Sequence, residues 1–417
     1  ANATIPILGA VDTAVVGQLG LAAPIGAVGI GAIIITAIYW LFGFLRMGTT
    51  GLTAQAIGSG DKPETSALLV RGIIIGLVAG LVLIIAQVPI FLGALQLSPA
   101  SMEVESLAQK YLQIRVYSAP AAIALFGITG WLIAKEKTRE VLLLQLALNG
   151  INITLDLVFV LKLGWGVEGV AIATLIAEWS GLIFGLWLAR EGFNNGYWKN
   201  WIQIFDRVRL IQMAKVNSDI MIRSILLEIG FVSFLFLGSS FDDATLAANQ
   251  VLIQFLHITA YALDGFAFAA EALVGQALGA KNRPLFRRAV IMTSQWGIGS
   301  VILMALAFFV FGNSIINVMT TAEDVRAVSY EYLPWMVAAP LAGVAAWMLD
   351  GIFIGATRTA DMRNMMFISF CIYLIALALL LPSYGNHGLW ASLIIFSIAR
   401  GVTLGFKYPA LEKSSEH

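Results

Sequence analysis

Asn152 and Asp156 stand four residues apart in an apolar run, a spacing that puts both side chains on one face of a helix. The turn 164–166 (GWG) folds the chain back after them. Reflection about Trp165 brings Thr174 to the depth of Asp156 and Glu178 to the depth of Asn152. Asp12 precedes the turn 17–20 (GQLG) by about six residues, which is roughly 9 Å inside a membrane at 1.5 Å per residue. Carboxylate, amide and hydroxyl oxygens in one layer suit a hard cation, and two close carboxylates push one pKa upward and so suit a proton equally. Asp12, Asn152, Asp156 and Thr174 are therefore read as a cation-coupling site, for Na+ or H+, with Glu178 a structural neighbour.

Further polar residues fall inside apolar runs, where an ionised group costs about 2.5–3.5 kcal/mol on insertion scales and so needs a partner or a purpose. Asp264 and Glu271 lie seven apart on one helix face, Asp350 sits near the cytoplasmic end of its span, and Arg46 and Arg223 lie at comparable depth. These five are expected to pair, some of them as a cytoplasmic gate across the lobe interface. Glu228 falls near mid-membrane with no evident partner and is the candidate for a second cation or substrate site.

The elements that must position these groups are transmembrane helices. Over 417 residues the hydrophobic fraction is 59% and the charged fraction 12%, and the mean hydropathy is +0.86, far from soluble usage. Cutting at turns and charge clusters gives about twelve apolar spans, an all-α membrane protein. Lys and Arg crowd every second loop, which makes those loops and both termini cytoplasmic. The chain starts without Met inside a helical pattern, so the first span is expected to be truncated.

The stretch 52–58 (LTAQAIG), with Pro63 beyond it, recurs as 273–279 (LVGQALG), with Pro284 beyond it, an offset of 221. The same offset lays Tyr111 on Tyr332 and Gly130 on Gly351. The halves are thus parallel repeats of six helices: an N-terminal lobe 1–190, a cytoplasmic linker 191–215 and a C-terminal lobe 216–417. At that offset Asp12, Asn152 and Asp156 fall on Ser233, Tyr373 and Leu377, so the repeat carries shape and not this chemistry.

A formal net charge of +0 and no basic stripe leave nucleic acid nothing to hold. One cysteine, Cys371, forms no internal disulfide, and three histidines are too few for most metal sites. The 58–61 GxGD pattern lies in a charged loop, away from the membrane depth an aspartyl protease needs. With no Walker loop, GxSxG or zinc spacing, an enzyme is not expected, no cofactor is called for, and the energy source is an ion gradient.

The stretches 11–17 (VDTAVVG), 46–56 (RMGTTGLTAQA), 152–156 (NITLD), 264–275 (DGFAFAAEALVG) and 350–358 (DGIFIGATR) together resemble the multidrug and toxic compound extrusion (MATE) transporters, within them the DinF branch. The resemblance implies two six-helix bundles forming a V. It implies export of organic cations or lipophilic toxins against entering H+ or Na+, by alternating access. It also implies that Asp12, Asn152, Asp156 and Thr174 form the cation site, while Glu228 resembles a carboxylate of a related branch. A monomer in the bacterial inner membrane is expected. The competing reading is a lipid-linked precursor flippase of the same superfamily, which calls for a strongly basic central cavity.

Overall fold

The computed structural model describes residues 15–18, 20–96 and 101–415. Within them every regular element is helical, as lipid requires, since only helices satisfy each backbone N–H and C=O inside one segment. The first half comprises α1 (Ala22–Trp40), α2 (Gly43–Gly58), α3 (Lys62–Ile85), α4 (Gln87–Gln96), α5 (Met102–Arg115), α6 (Ala119–Ala134), α7 (Thr138–Asp156) and α8 (Gly166–Leu188). After short turns and α9 (Trp201–Ile204) follow α10 (Arg207–Gly238), α11 (Asp243–Gly279), α12 (Arg283–Met319), α13 (Glu323–Gly355) and α14 (Thr359–Ser414). Among the described residues ten helical segments are long and apolar enough to cross a membrane.

Helix α14 holds two of the expected spans. Its 56 residues would run about 84 Å if straight, well beyond a hydrocarbon core of about 30 Å. Gly385 breaks it, with φ 56° and ψ −128°, a conformation open to glycine and closed to most residues. Ser369 Oγ meets Thr403 Oγ1 at 3.1 Å and the Tyr373 and Phe396 rings lie 5.0 Å apart. Both contacts pair positions nearly equidistant from Gly385, so the segment is an antiparallel hairpin.

The chain divides into two compact units, one comprising 61–211 and the residues up to 53, the other 54–60 and the residues from 212 onward. In the first, α3 and α6 run antiparallel with their backbones in contact. A Cβ at Gly72, Gly76 or Gly80 would sit 3.2, 2.4 or 2.2 Å from the backbone of Gly127, Ala124 or Pro120. Small residues every fourth position are what lets helices approach this closely in lipid.

The internal repeat is visible within each unit. A Cβ on Gly130 would meet the Arg46 carbonyl oxygen at 2.4 Å, and one on Gly351 the Ala267 oxygen at 2.7 Å. Both partners are related by the offset of 221. The helix starts repeat as well. Asp61 Oδ1 accepts from the Glu64 amide at 3.0 Å and Asn282 Oδ1 from the Leu285 amide at 3.0 Å, each with a proline in the first turn. This is the side-chain cap that satisfies an orphan N–H.

The segment after α8 is pinned to the first unit by charge. Arg71, only 2% exposed, pairs with Glu64 and donates Nε to the Ile204 carbonyl at 2.7 Å. Arg209 reaches Glu64 at 3.1 Å and Asp61 at 3.2 Å. Glu191 is gripped by Lys135 and Lys137, whose hydrogen bonds and charges hold its pKa down from 4.5 to about 2.

Two outcomes are expected. Gly76→Leu should lower the stability of the purified protein by about 1–3 kcal/mol, seen as a fall in Tm, because its side chain meets backbone. Gly29→Ala, where a Cβ meets nothing within 4 Å, should leave Tm unchanged. Because the Glu191 pKa is depressed on folding, the stabilisation by its two lysines is complete above pH 4.5 and is lost as pH falls toward about 2. Hydrogen exchange of residues 189–195, corrected for intrinsic rates, should stay constant from pH 7 to 5 and rise below 4.5.

Candidate functional site

Helix α7 delivers Asn152 and Asp156 to the interior of the first unit, and α8 delivers Thr174. Asn152 and Asp156 are fully buried and Thr174 is 1% exposed. Asn152 Nδ2 donates to Thr174 Oγ1 at 2.9 Å, and Thr174 Oγ1 donates to the Val170 carbonyl at 3.1 Å. A carboxylate, an amide and a hydroxyl are thus buried within about one helical turn of one another, the oxygen chemistry a hard cation or a proton uses. Asp12 lies outside the described residues.

The register differs from simple reflection about Trp165. Thr174 bonds Asn152 and not the level of Asp156, a displacement of about one turn. The cause is local. Residues Leu157–Lys162 form a widened turn with the Leu163 amide bonded to the Val158 carbonyl at 3.0 Å. Such an i→i+5 turn advances less along the axis per residue than an α-turn, so fewer residues of α8 match those of α7.

Glu178, one turn further along α8 from Thr174, meets Arg115 Nη1 at 2.9 Å. Arg115 is 6% exposed and also donates to Ser118 Oγ at 2.9 Å and, through Nε, to Tyr111 OH at 3.3 Å. Tyr39 OH closes the cluster by donating to the Arg115 carbonyl at 3.0 Å. From sequence Arg115 reads as a loop-edge residue. Its position four residues after Tyr111, in a helix leading to an apolar span, is the signal that would have placed it inside.

In the second unit Arg223 and Asp350 are brought together, and Arg400 joins them, with Nη2 2.7 Å from Asp350 Oδ2. This triad is internal to that unit. Arg400, absent from the sequence expectation, is the only cation of the span that begins after Gly385 and precedes Lys407, and that isolation marks it as a buried partner. Glu271 is buried, while Arg46 and Asp264 are half-buried. Glu228 is on the exposed side of α10, and among the described residues it has neither a hydrogen bond nor an ion pair. At the positions that the repeat equates with Asp12 and Asn152, Ser233 Oγ and Tyr373 OH touch at 3.0 Å.

Buried polar layers inside two helical units of this kind define a multi-pass membrane transporter. The sequence matches the MatE family over residues 1–158 and 220–380, and the chain belongs to that family of multidrug and toxic compound transporters. It is 38% identical over 408 residues to DNA damage-inducible protein F of Escherichia coli, covering 97% of this chain and 88% of that one. It is 25% identical to the probable multidrug resistance protein NorM of Bacillus cereus, covering 84% and 80% of the two chains. The crystal structure of the Vibrio cholerae MATE transporter VcmN in the bent form matches with a TM-score of 0.86 at 23% identity, over 99% of this chain and 94% of that one.

Removing Arg115 should leave Glu178 buried without its counter-charge. Arg115→Met is expected to cost about 3–5 kcal/mol of stability, and Arg115→Met with Glu178→Leu to recover most of that loss. Thermal unfolding of the two purified variants beside the parent checks it.

Proposed function

We propose that this chain is a secondary antiporter that exports organic cations and lipophilic toxic compounds in exchange for H+ or Na+ by alternating access. The observation that carries this reading is the burial of the Asp156 carboxylate about one helical turn from the Asn152–Thr174 hydrogen bond. Burying a carboxylate there is costly and buys nothing for packing. A cation that binds this layer better in one state than in another shifts the population of states, and a drug that favours the opposite state is moved by the ion gradient. Asp12 completes the layer as a second carboxylate. The repeat equates Asp12 and Asn152 in sequence with Ser233 and Tyr373, whose hydroxyls touch at 3.0 Å, and that contact supports the reading.

Glu228 is the second cation or substrate candidate. Arg223, Asp350 and Arg400 act as a lock on the cytoplasmic side of the second unit. The loop charges support a bacterial inner-membrane orientation with both termini cytoplasmic. A flippase for lipid-linked precursors calls for uncompensated cations in a cavity. Here Arg115 faces Glu178, and Arg223 and Arg400 converge on Asp350, so most of this buried positive charge is compensated, which favours the antiporter.

Ethidium and norfloxacin efflux from cells expressing the parent, Asp12→Asn and Asp156→Asn tests the reading, with the proton gradient collapsed or external Na+ removed. Both variants should lose about tenfold or more of the efflux rate, consistent with a coupling free energy of 1–3 kcal/mol. One of the two gradients should be required. Normal efflux by both variants would move the coupling site to Glu228.

A further inference from the structure

On the cytoplasmic rim of the first unit, where α6 ends and α7 begins, lies a cavity of about 430 Å³ that the transport reading does not use. Its walls include Arg139, Glu140, Arg190, Glu191 and Asn194, and its floor Leu143, Trp187 and Leu188. Lys137 also lines it, but Lys137 and Lys135 are committed to Glu191. Arg139 has no hydrogen bond or ion pair among the described residues. Arg190 stacks on the Trp187 ring at 4.3 Å and gives Nη1 to the Trp187 carbonyl at 3.0 Å, which leaves its other N–H groups outward. Two guanidinium groups with donors to spare therefore face one polar hollow, and guanidinium matches phosphate in geometry.

The hollow does not end at the charged groups. Directly along α7, toward the middle of the membrane, runs a second cavity of about 430 Å³ lined by Leu146, Ala147, Gly150, Ile151, Thr154 and Leu155. A Cβ at Gly150 would meet nothing within 4 Å, so the groove is open at that point. Leu143 of the first hollow and Leu146 of the second are one turn apart on the same face of α7, so the two hollows follow one another along that face. A cationic head site followed along one helix face by an apolar hollow has the polarity of a phospholipid. Trp187 sits at the level of the helix end, the headgroup depth that tryptophan favours.

We propose that this hollow is a specific site for an anionic phospholipid of the cytoplasmic leaflet. Arg139 and Arg190 hold the phosphate, and one acyl chain lies along α7 past Gly150. Glu140, a carboxylate with no ion pair among the described residues, accepts from head-group hydroxyls, together with the Asn194 amide. That combination selects a phosphodiester bearing a polyol over one bearing choline.

Native mass spectrometry of the full chain purified in detergent tests this. The probes are phosphatidylglycerol and phosphatidylcholine with the same acyl chains, and glycerol 3-phosphate as the soluble head group alone. The parent should retain phosphatidylglycerol over phosphatidylcholine by about fivefold or more, since each basic group near a surface contributes roughly that factor. Arg139→Gln with Arg190→Gln should bring the ratio close to one. Gly150→Phe, which fills the groove and leaves every charge in place, should lower phosphatidylglycerol retention severalfold. Equal retention of the two lipids by the parent would overturn the proposal without any variant. A ratio unmoved by the double substitution would overturn it too. Displacement of the lipid by millimolar glycerol 3-phosphate, with Gly150→Phe behaving as the parent, would reduce the site to one for free anions.

Discussion

Contact between helix backbones is the constraint from which the rest of the first unit follows. Lipid tails are as apolar as leucine, so helices in a bilayer gain little from hiding apolar surface from one another and depend on close van der Waals approach. Gly72, Gly76 and Gly80 bring α3 onto the backbone of α6, and Gly130 brings α6 onto the Arg46 carbonyl of α2. With α6 fixed, Gly181 and Gly185 of α8 rest on Leu125 and Ile128. That contact sets the rotation of α8, and hence where Thr174 and Glu178 point. The polar layer is positioned by residues that carry no chemistry.

Charge inside the two units obeys a second rule: the buried arginines Arg115, Arg223 and Arg400 are each set against a carboxylate, one of them shared. Arg115 has Glu178, while Arg223 and Arg400 share Asp350. Breaking such an arrangement is costly because it strands a desolvated charge, even though the intact pair adds little to net stability. These groups hold a geometry. The group at Asn152 differs, because it combines a buried carboxylate with a neutral amide and hydroxyl. The repeat sharpens the contrast: Tyr373 and Ser233 occupy the equivalent places in the second unit with a plain hydroxyl contact.

Much of this was legible in the residues. Apolar runs announced the spans, and the 221-residue offset announced a repeat that reappears as equal glycine contacts and equal helix caps. Spacing singled out Asn152, Asp156 and Thr174; Asn152 and Thr174 are hydrogen-bonded, and Asp156 is buried one turn further along α7. What spacing could not supply was register through irregular backbone. The widened turn at Leu157–Lys162 has no composition of its own, being an ordinary apolar stretch, and it moved Thr174 onto Asn152. Partners distant in sequence were also out of reach. Arg115 and Glu178 lie 63 residues apart and Arg400 and Asp350 lie 50 apart, and only the packing of three or more helices brings them together. The hairpin at Gly385, by contrast, could be read, because two spans had been assigned where the helix runs nearly unbroken.

The widened turn bears on how such a protein can change over time. An i→i+5 turn amounts to one residue more than an α-helix needs, and losing that residue there would restore regular helix while the segments on either side keep nearly the same faces. Asp156 lies just before that turn and the loop 163–166 just after it. A single insertion or deletion can therefore be taken up within the turn while the buried groups before it keep their face. The chain has at this point a place where its length can change by one residue without disturbing either the buried polar groups or the loop beyond them.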